Sequence, residues 1–206
     1  MTHIYLIRHG ESLANAARLF IGHTDMDLTE RGHRQAEKTA QYLKSVPVDA
    51  IYASDLCRAY HTALHTADLL GMAAVPDQGL REIYAGEWEG MPFDRLMTQY
   101  PHEFAELWRT RIGEARCKGG ESIAELAARI SAAVERLVRA NEGKTVLLFS
   151  HATPIRILGT LWQGLPLSEM HTVPWAANAS VTHGTFDGTN YRLISYGEAD
   201  FGSEPA

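Results

Sequence analysis

Short apolar runs alternate along this chain with stretches of helical periodicity, and that alternation restricts the fold more than any other feature. Ile4-Tyr5-Leu6-Ile7, Asp49 to Ala53 and the continuous run Thr145 to Phe149 read as strands by their length and their β-branched and aromatic content. Between them, Ala36, Ala40 and Leu43 predict a helix over Thr29 to Lys44 with Thr29 as N-cap. Leu56, Ala59, Ala63, Ala67 and Leu70 mark the inner face of a second helix that closes near Gly71. Ser122 and Glu125 form a capping box before Ile123, Leu126, Ile130, Val134, Leu137 and Val138, a third helix ending near Gly143. A fourth runs from Pro154 to about Trp162, and Val181 to Phe186 with Tyr191 to Tyr196 predict a closing hairpin around Asp187-Gly188. Alternating strands and helices imply an α/β fold, a three-layer α/β/α sandwich around a mainly parallel sheet.

Residues 86 to about 120 break this rhythm. Gly86, Gly90, Pro92, Pro101, Gly113, Gly119 and Gly120 leave room only for short helices, which predicts a small helical lid inserted over the main body. A chain of 206 residues with no linker-like tract is otherwise read as one domain, 1–206. The formal net charge of −6 argues against non-specific nucleic-acid binding, which needs clustered Lys and Arg. It leaves an anionic small molecule open, since nearby arginines in a cleft outweigh a diffuse surface charge. Cys57 and Cys117 make neither a metal spacing nor a disulfide framework, and they are read as reduced thiols of a cytoplasmic protein. No run is long enough to cross a membrane, and Ile4 to Ile7 is too short for a signal peptide.

In parallel sheets, ligands sit beyond the carboxyl ends of the strands. Arg8-His9, Ser54 to Arg58 and Ser150-His151 each follow a predicted strand, so three strand ends bring cations and imidazoles to one rim. Such groups at the mouth of buried strands cost desolvation unless an anion pairs with them, and a guanidinium fork matches phosphate oxygens in bidentate fashion. His61 and His65 stand at the i, i+4 spacing of a zinc site but lack a third ligand, so no metal is expected there. Trp88, Trp108, Trp162 and Trp175 are read as core or lid packing.

The same residues carry a resemblance. "RHGESLAN" at 8–15, "DLTERGHRQA" at 27–36, "IYASDLCRAYHTA" at 51–63, "LREIYAGEWEG" at 80–90, "GGES" at 119–122, "SHATPIR" at 150–156 and "NASVT" at 178–182 are similar to the ordered motifs of the histidine phosphatase superfamily, which includes the cofactor-dependent phosphoglycerate mutases and their smaller phosphatase relatives. Two positions depart from it: Ala152, where many relatives have Gly, and Lys118, where relatives often have Pro. The resemblance implies that His9 is the nucleophile, that Arg8, Arg58 and His151 hold the phosphoryl oxygens with Asn15 adding a hydrogen bond, and that Glu82 is the proton donor to the leaving group. Glu82 would then have to carry a proton when the reaction starts. A nucleophilic imidazole must be neutral, with one nitrogen held as N–H so that the other faces phosphorus. His23 and Tyr84 are candidates to touch the leaving group, and Arg109, Arg111, Arg116 and Lys118 on the lid are candidates to read a second anionic group.

The expected activity is therefore metal-independent hydrolysis of a small phosphate monoester through a phosphohistidine on His9, with no cofactor. The short carboxyl end and "REIYAGEWEG" resemble the phosphatase branch more than the mutase branch. A phosphoglycerate mutase-type phosphotransferase and a non-catalytic phosphate-binding module are the alternatives. The expected partner is a small phosphorylated metabolite, with no nucleic acid and no membrane, and a homodimer is the candidate assembly.

Overall fold

The computed structural model describes residues 1–199. In chain order it contains β1 (Thr2–Arg8), α1 (Leu13–Ala16), β2 (Leu19–Phe20), α2 (Glu30–Leu43), β3 (Ala50–Ala53), α3 (Cys57–Leu70), β4 (Ala74–Pro76), β5 (Met91–Pro92), α4 (Phe93–Gln99), α5 (Pro101–Ala105), α6 (Ile123–Ala140), β6 (Thr145–Ser150), α7 (Ala152–Trp162), β7 (Val181–Phe186) and β8 (Tyr191–Glu198). The main sheet has the order β4-β3-β6-β1-β7-β8. The first four pair in parallel, and the closing hairpin adds β7 antiparallel to β1, with β8 antiparallel to β7.

Every residue of β6 is buried, which explains its unbroken apolar run: a strand covered on both faces has no solvent side to mark with polar residues. Its side chains still alternate between layers. Val146 and Leu148 face a cluster with Ile130, Val134 and Leu137 of α6 and Ile155 and Leu158 of α7. Leu147 and Phe149 face the opposite cluster with Leu43 of α2 and Ala63 and Ala67 of α3. The result is the expected three layers. Small residues on α3 let it lie close to the sheet, while α6 fills its side with branched chains.

The helix ends follow local chemistry. Thr29 caps α2 by accepting from Gly32 N, and Ser122 and Glu125 form the capping box of α6. Gly71 closes α3 in the left-handed conformation at φ 65°. Helix α7 starts two residues earlier than its proline suggests, because Pro154 falls in the first turn, where a missing N–H costs nothing. That shift makes His151 the N-cap residue.

The segment from Gly86 to Gly120 holds α4, α5 and a π-turn at Glu106–Thr110. Its Leu96, Leu107, Trp108 and Cys117 join the α6 and α7 side of the core. The short pair β2 and β5 stitches this segment to the loop after β1. Among the described residues, no helix is long and apolar enough to cross a membrane.

Candidate active site

Strands β1, β3 and β6 end side by side, and the backbone joins those ends: His9 N donates to Ser150 O at 3.1 Å, and Ser54 N to Phe149 O at 2.9 Å. His9 and His151 follow from adjacent strands, with ring centroids 5.2 Å apart at an interplanar angle of 61°. Both rings are buried, His9 at 4% exposure and His151 at 0%. His9 Nδ1 lies 2.7 Å from Gly10 O, an arrangement that holds the proton on Nδ1 and leaves Nε2 with its lone pair. Burial, and then the positive charges of Arg58 and Arg8, push the His9 pKa well below the ordinary histidine value. The imidazole is neutral as a result, as a nucleophile requires.

Two guanidiniums flank it. Arg58 is almost fully buried in the first turn of α3, with Nη1 donating to Thr24 O at 3.0 Å and Nη2 to Gly22 O at 2.7 Å. Arg8 donates from Nη1 to Ala176 O at 2.6 Å, and its buried Nε has no partner in the protein. Neither cation makes an ion pair with a carboxylate among the described residues; carbonyls accept from their N–H groups, and the charge of Glu82 acts on both without touching them. Burial lowers the pKa of both, and the charge of Glu82 offsets that only in part. Two desolvated cations aimed at one rim call for an anion between them.

His151 bonds through Nε2 to Ser54 Oγ at 2.8 Å, and its buried Nδ1 has no partner in the protein. Burial and the neighbouring Arg58 push its pKa well down too. The Glu82 carboxylate is fixed by two backbone donors, Ile83 N at 2.8 Å and Thr153 N at 3.2 Å, the second at the start of α7. Asn15 uses its amide oxygen to accept from Ser12 N, Ser12 Oγ and Asn178 Nδ2, each at 3.1 Å, so its amide NH₂ is the part left for a ligand.

Arg8, His9, Asn15, Arg58 and Glu82 line a cavity of about 690 Å³, while the fully buried His151 is not part of its lining. Aromatic side chains wall the rest: Phe20, Phe93, Phe104, Trp108 and Trp175. Two of the four tryptophans expected in the core or lid thus face the cavity, and Trp175 is 48% exposed. His23 and Tyr84 do not line it. The His23 ring turns its Nε2 to Glu82 O at 3.0 Å, and Tyr84 lies exposed against His23. Of the lid cations, only Arg109 lines the cavity. Arg111 pairs with Glu106 and Glu114, Arg116 with Glu125, and Lys118 with Glu87, because those acids fall within a turn or two of them or on facing loops. His61 bonds Asp27 at 2.7 Å and His65 bonds His33 at 3.0 Å. No cluster of three or more metal-ligating residues occurs among the described residues.

Sequence reasoning missed three supporting residues. Asn178 donates to both His9 O and Gly10 O, at 3.1 and 3.2 Å, and so ties the loop after β1 to the residues before β7. The Glu89 carboxylate accepts from Gly22, His23 and Thr24 N at 3.0, 2.7 and 3.1 Å, and holds the turn whose carbonyls carry Arg58. Burial alone would raise the Glu89 pKa, but these donors outweigh it and the pKa is lowered. Arg156, buried on α7, lines the cavity beyond Thr153. "NASVT", "GEWEG" and "SHATPIR" each contained one of them, and only the folded geometry singles them out.

Fold and site together define a phosphoric monoester hydrolase built around a buried neutral histidine. The model of the histidine phosphatase superfamily (branch 1) matches residues 4–199, and the chain belongs to that family. It is 34% identical over 169 residues to phosphoserine phosphatase 1 of Hydrogenobacter thermophilus, covering 82% of this chain and 80% of that one. It is 39% identical over 170 residues to a probable phosphoglycerate mutase GpmB of Yersinia pestis, covering 81% and 77%. A solved mycobacterial glucosyl-3-phosphoglycerate phosphatase, complexed with VO3, superimposes with a TM-score of 0.87 at 28% identity over 95% of this chain and 98% of that one.

Proposed function

We propose that this phosphatase works through a phosphohistidine on His9, in the cytoplasm, on a small phosphorylated metabolite. The observation that carries the reading is the buried His9 ring, neutral and held at Nδ1 by Gly10 O, between two arginines that have no carboxylate of their own. His9 Nε2 attacks phosphorus in line, the bond from phosphorus to the ester oxygen breaks, and Glu82 gives that oxygen its proton to release an alcohol. Water then attacks the phosphohistidine, Glu82 takes the water's proton, and the P–N bond breaks to release phosphate and restore the imidazole. Arg8 and Arg58 spread positive charge over the phosphoryl oxygens throughout, the part that metal ions play in other phosphatases. With the Ser54 hydroxyl donating to Nε2, His151 presents Nδ1–H to the same oxygens, and the Asn15 amide adds a donor. A homodimer is compatible with this chemistry, since every group named comes from one chain.

The test is release of phosphate from p-nitrophenyl phosphate in EDTA, with trapping of the acid-labile, base-stable phosphoprotein at alkaline pH. The intact protein is expected to turn over and to carry label on His9, and His9→Ala to lose at least about 10³-fold in rate. Turnover without a trapped phosphohistidine, or turnover that survives His9→Ala, would overturn the mechanism. The similarity to a probable phosphoglycerate mutase supports one second reading, transfer of the phosphoryl group to another hydroxyl instead of water. Phosphoglycerate isomerisation that requires added bisphosphoglycerate, with no net phosphate release, would establish it.

A further inference from the structure

Besides Arg8 and Arg58, the cavity holds a further buried cation with no anion of its own. Arg156 is 6% exposed, yet it lines the cavity and has no carboxylate partner among the described residues. Its guanidinium is rigidly mounted: Nε donates to Val173 O at 2.6 Å, Nη2 donates to His171 O at 3.1 Å, and one face lies over the Trp175 ring at 4.2 Å. Those contacts use one edge and one face. Nη1 and the second Nη2 hydrogen remain, an end-on pair whose spacing matches the two oxygens of a carboxylate. Burying a guanidinium this way costs desolvation that carbonyls and a ring only partly offset.

Position and wall chemistry narrow what would fit. Arg156 stands five residues past His151 on α7, about 7 Å along the helix axis at 1.5 Å per residue. It shares a helix face with Thr153, which bonds Glu82. The same cavity is lined by Phe20, Phe93, Phe104 and Trp108. Such apolar walls suit a ring or a short carbon chain as the body of the ester. A single guanidinium suits a carboxylate, whereas the phosphoryl end gathers two guanidiniums and an imidazole.

The geometry points to Arg156 as the residue that sets specificity, by binding a carboxylate on the leaving group of the phosphate ester. This deepens the phosphatase reading and rests on it. The substrate class is a phosphate monoester with an apolar or ring-containing body and a carboxylate across it from the phosphate. The cation comes from α7, and of the lid cations only the exposed Arg109 lines the same cavity.

The test compares phenyl phosphate, 3-carboxyphenyl phosphate and 1,3-phenylene bisphosphate as substrates of the intact protein, Arg156→Gln, Arg156→Lys and Arg109→Gln. The carboxylated ester is expected to exceed phenyl phosphate about tenfold or more in kcat/KM, chiefly through KM. That ratio should fall to near one in Arg156→Gln, recover in part in Arg156→Lys and persist in Arg109→Gln. Because the ratio is read within each variant, a general loss from altered packing around Val173 cancels. Equal kcat/KM for the two esters in the intact protein overturns the inference alone, as does a preference that survives Arg156→Gln. A larger Arg156-dependent preference for the bisphosphate overturns the carboxylate assignment. No hydrolysis of any ester by the intact protein overturns the phosphatase reading, and the inference with it.

Discussion

At the scale of single residues, the site depends on charges placed where water is scarce. His9 sits beside two cations in a buried pocket, so protonating it would add a third positive charge to a site that holds one carboxylate, Glu82. The expected outcome is a free enzyme whose His9 stays neutral well into acid. Imidazole ¹⁵N shifts should show His9 unprotonated at pH 6.0, where an ordinary histidine with pKa about 6.5 is mostly charged. An acid limb of kcat/KM that tracks His9 should likewise lie below the ordinary histidine value. A His9 titration near 6.5 would mean that the arginines do not act on the ring as their positions imply. The shared rim of Arg8-His9, Ser54 to Arg58 and Ser150-His151 was legible because each stretch follows a predicted strand of a parallel sheet, whereas the part given to His9 rested on the resemblance of its motifs. Arg156, Asn178 and Glu89 were not, because their significance lies in carbonyls, amides and rings contributed by distant loops. Nor could the sequence tell that Arg111, Arg116 and Lys118 are each paired with a glutamate, leaving Arg109 alone at the cavity.

At the scale of elements, the candidate site's arginines are each held by a neighbouring loop as well as by their own strand or helix. One stretch before β7 supplies the carbonyls of His171 and Val173 to Arg156 and that of Ala176 to Arg8, so a single strap mounts two of the cations that line the cavity. The turn at 22–24 does the same for Arg58 and is itself held by Glu89. A Cβ on Gly22 would collide with the Ile83 carbonyl, which shows how closely that turn is packed. Glu89→Ala should therefore act through Arg58: kcat/KM falls about 10- to 100-fold, with stability lower by about 2–4 kcal/mol as several N–H groups lose their acceptor. Glu89→Gln, which keeps one oxygen acceptor, should recover part of both. A loss of stability with KM and kcat unchanged for the folded fraction would show that Glu89 supports the fold alone. Among the elements themselves, the long ones were readable from periodicity and caps. Strand β4, with only Ala74–Pro76, and the two-residue strands β2 and β5 escaped, since so few residues carry no period and Pro76 argues against a strand except at the sheet edge where it lies. The break in rhythm over 86–120 was legible, but the packing of that segment into the main core was not, because that depends on where Leu96, Leu107 and Trp108 pack.

At the scale of the whole molecule, a chain of formal charge −6 carries a cavity whose buried charges are mostly positive. Short-range charges decide the local field, so the contrast is no contradiction. It does place a pH limit on the fold. The pKa of His9 and that of His151 are pushed well below the ordinary value in the folded chain, first by burial and then by Arg58. The unfolded chain takes up protons on both as pH falls through about 6.5, and the native chain does not follow until a lower pH. Their contribution to stability is therefore complete above about 6.5 and declines below it, by about 1.4 kcal/mol per pH unit for each group until its folded-state pKa is reached. His23, His65 and His183, whose pKa values are lowered mainly by partial burial, act in the same direction more weakly. Urea unfolding at pH 7.5, 6.5 and 5.5 should show a clearly larger loss of stability over the second interval than over the first. His151→Gln removes one of the two principal groups, so its stability should fall less steeply below pH 6.5 whatever its stability at neutral pH. Stability that stays level from 7.5 to 5.5 would mean that both imidazoles accept protons inside the fold, which the crowding of Arg8 and Arg58 around them forbids.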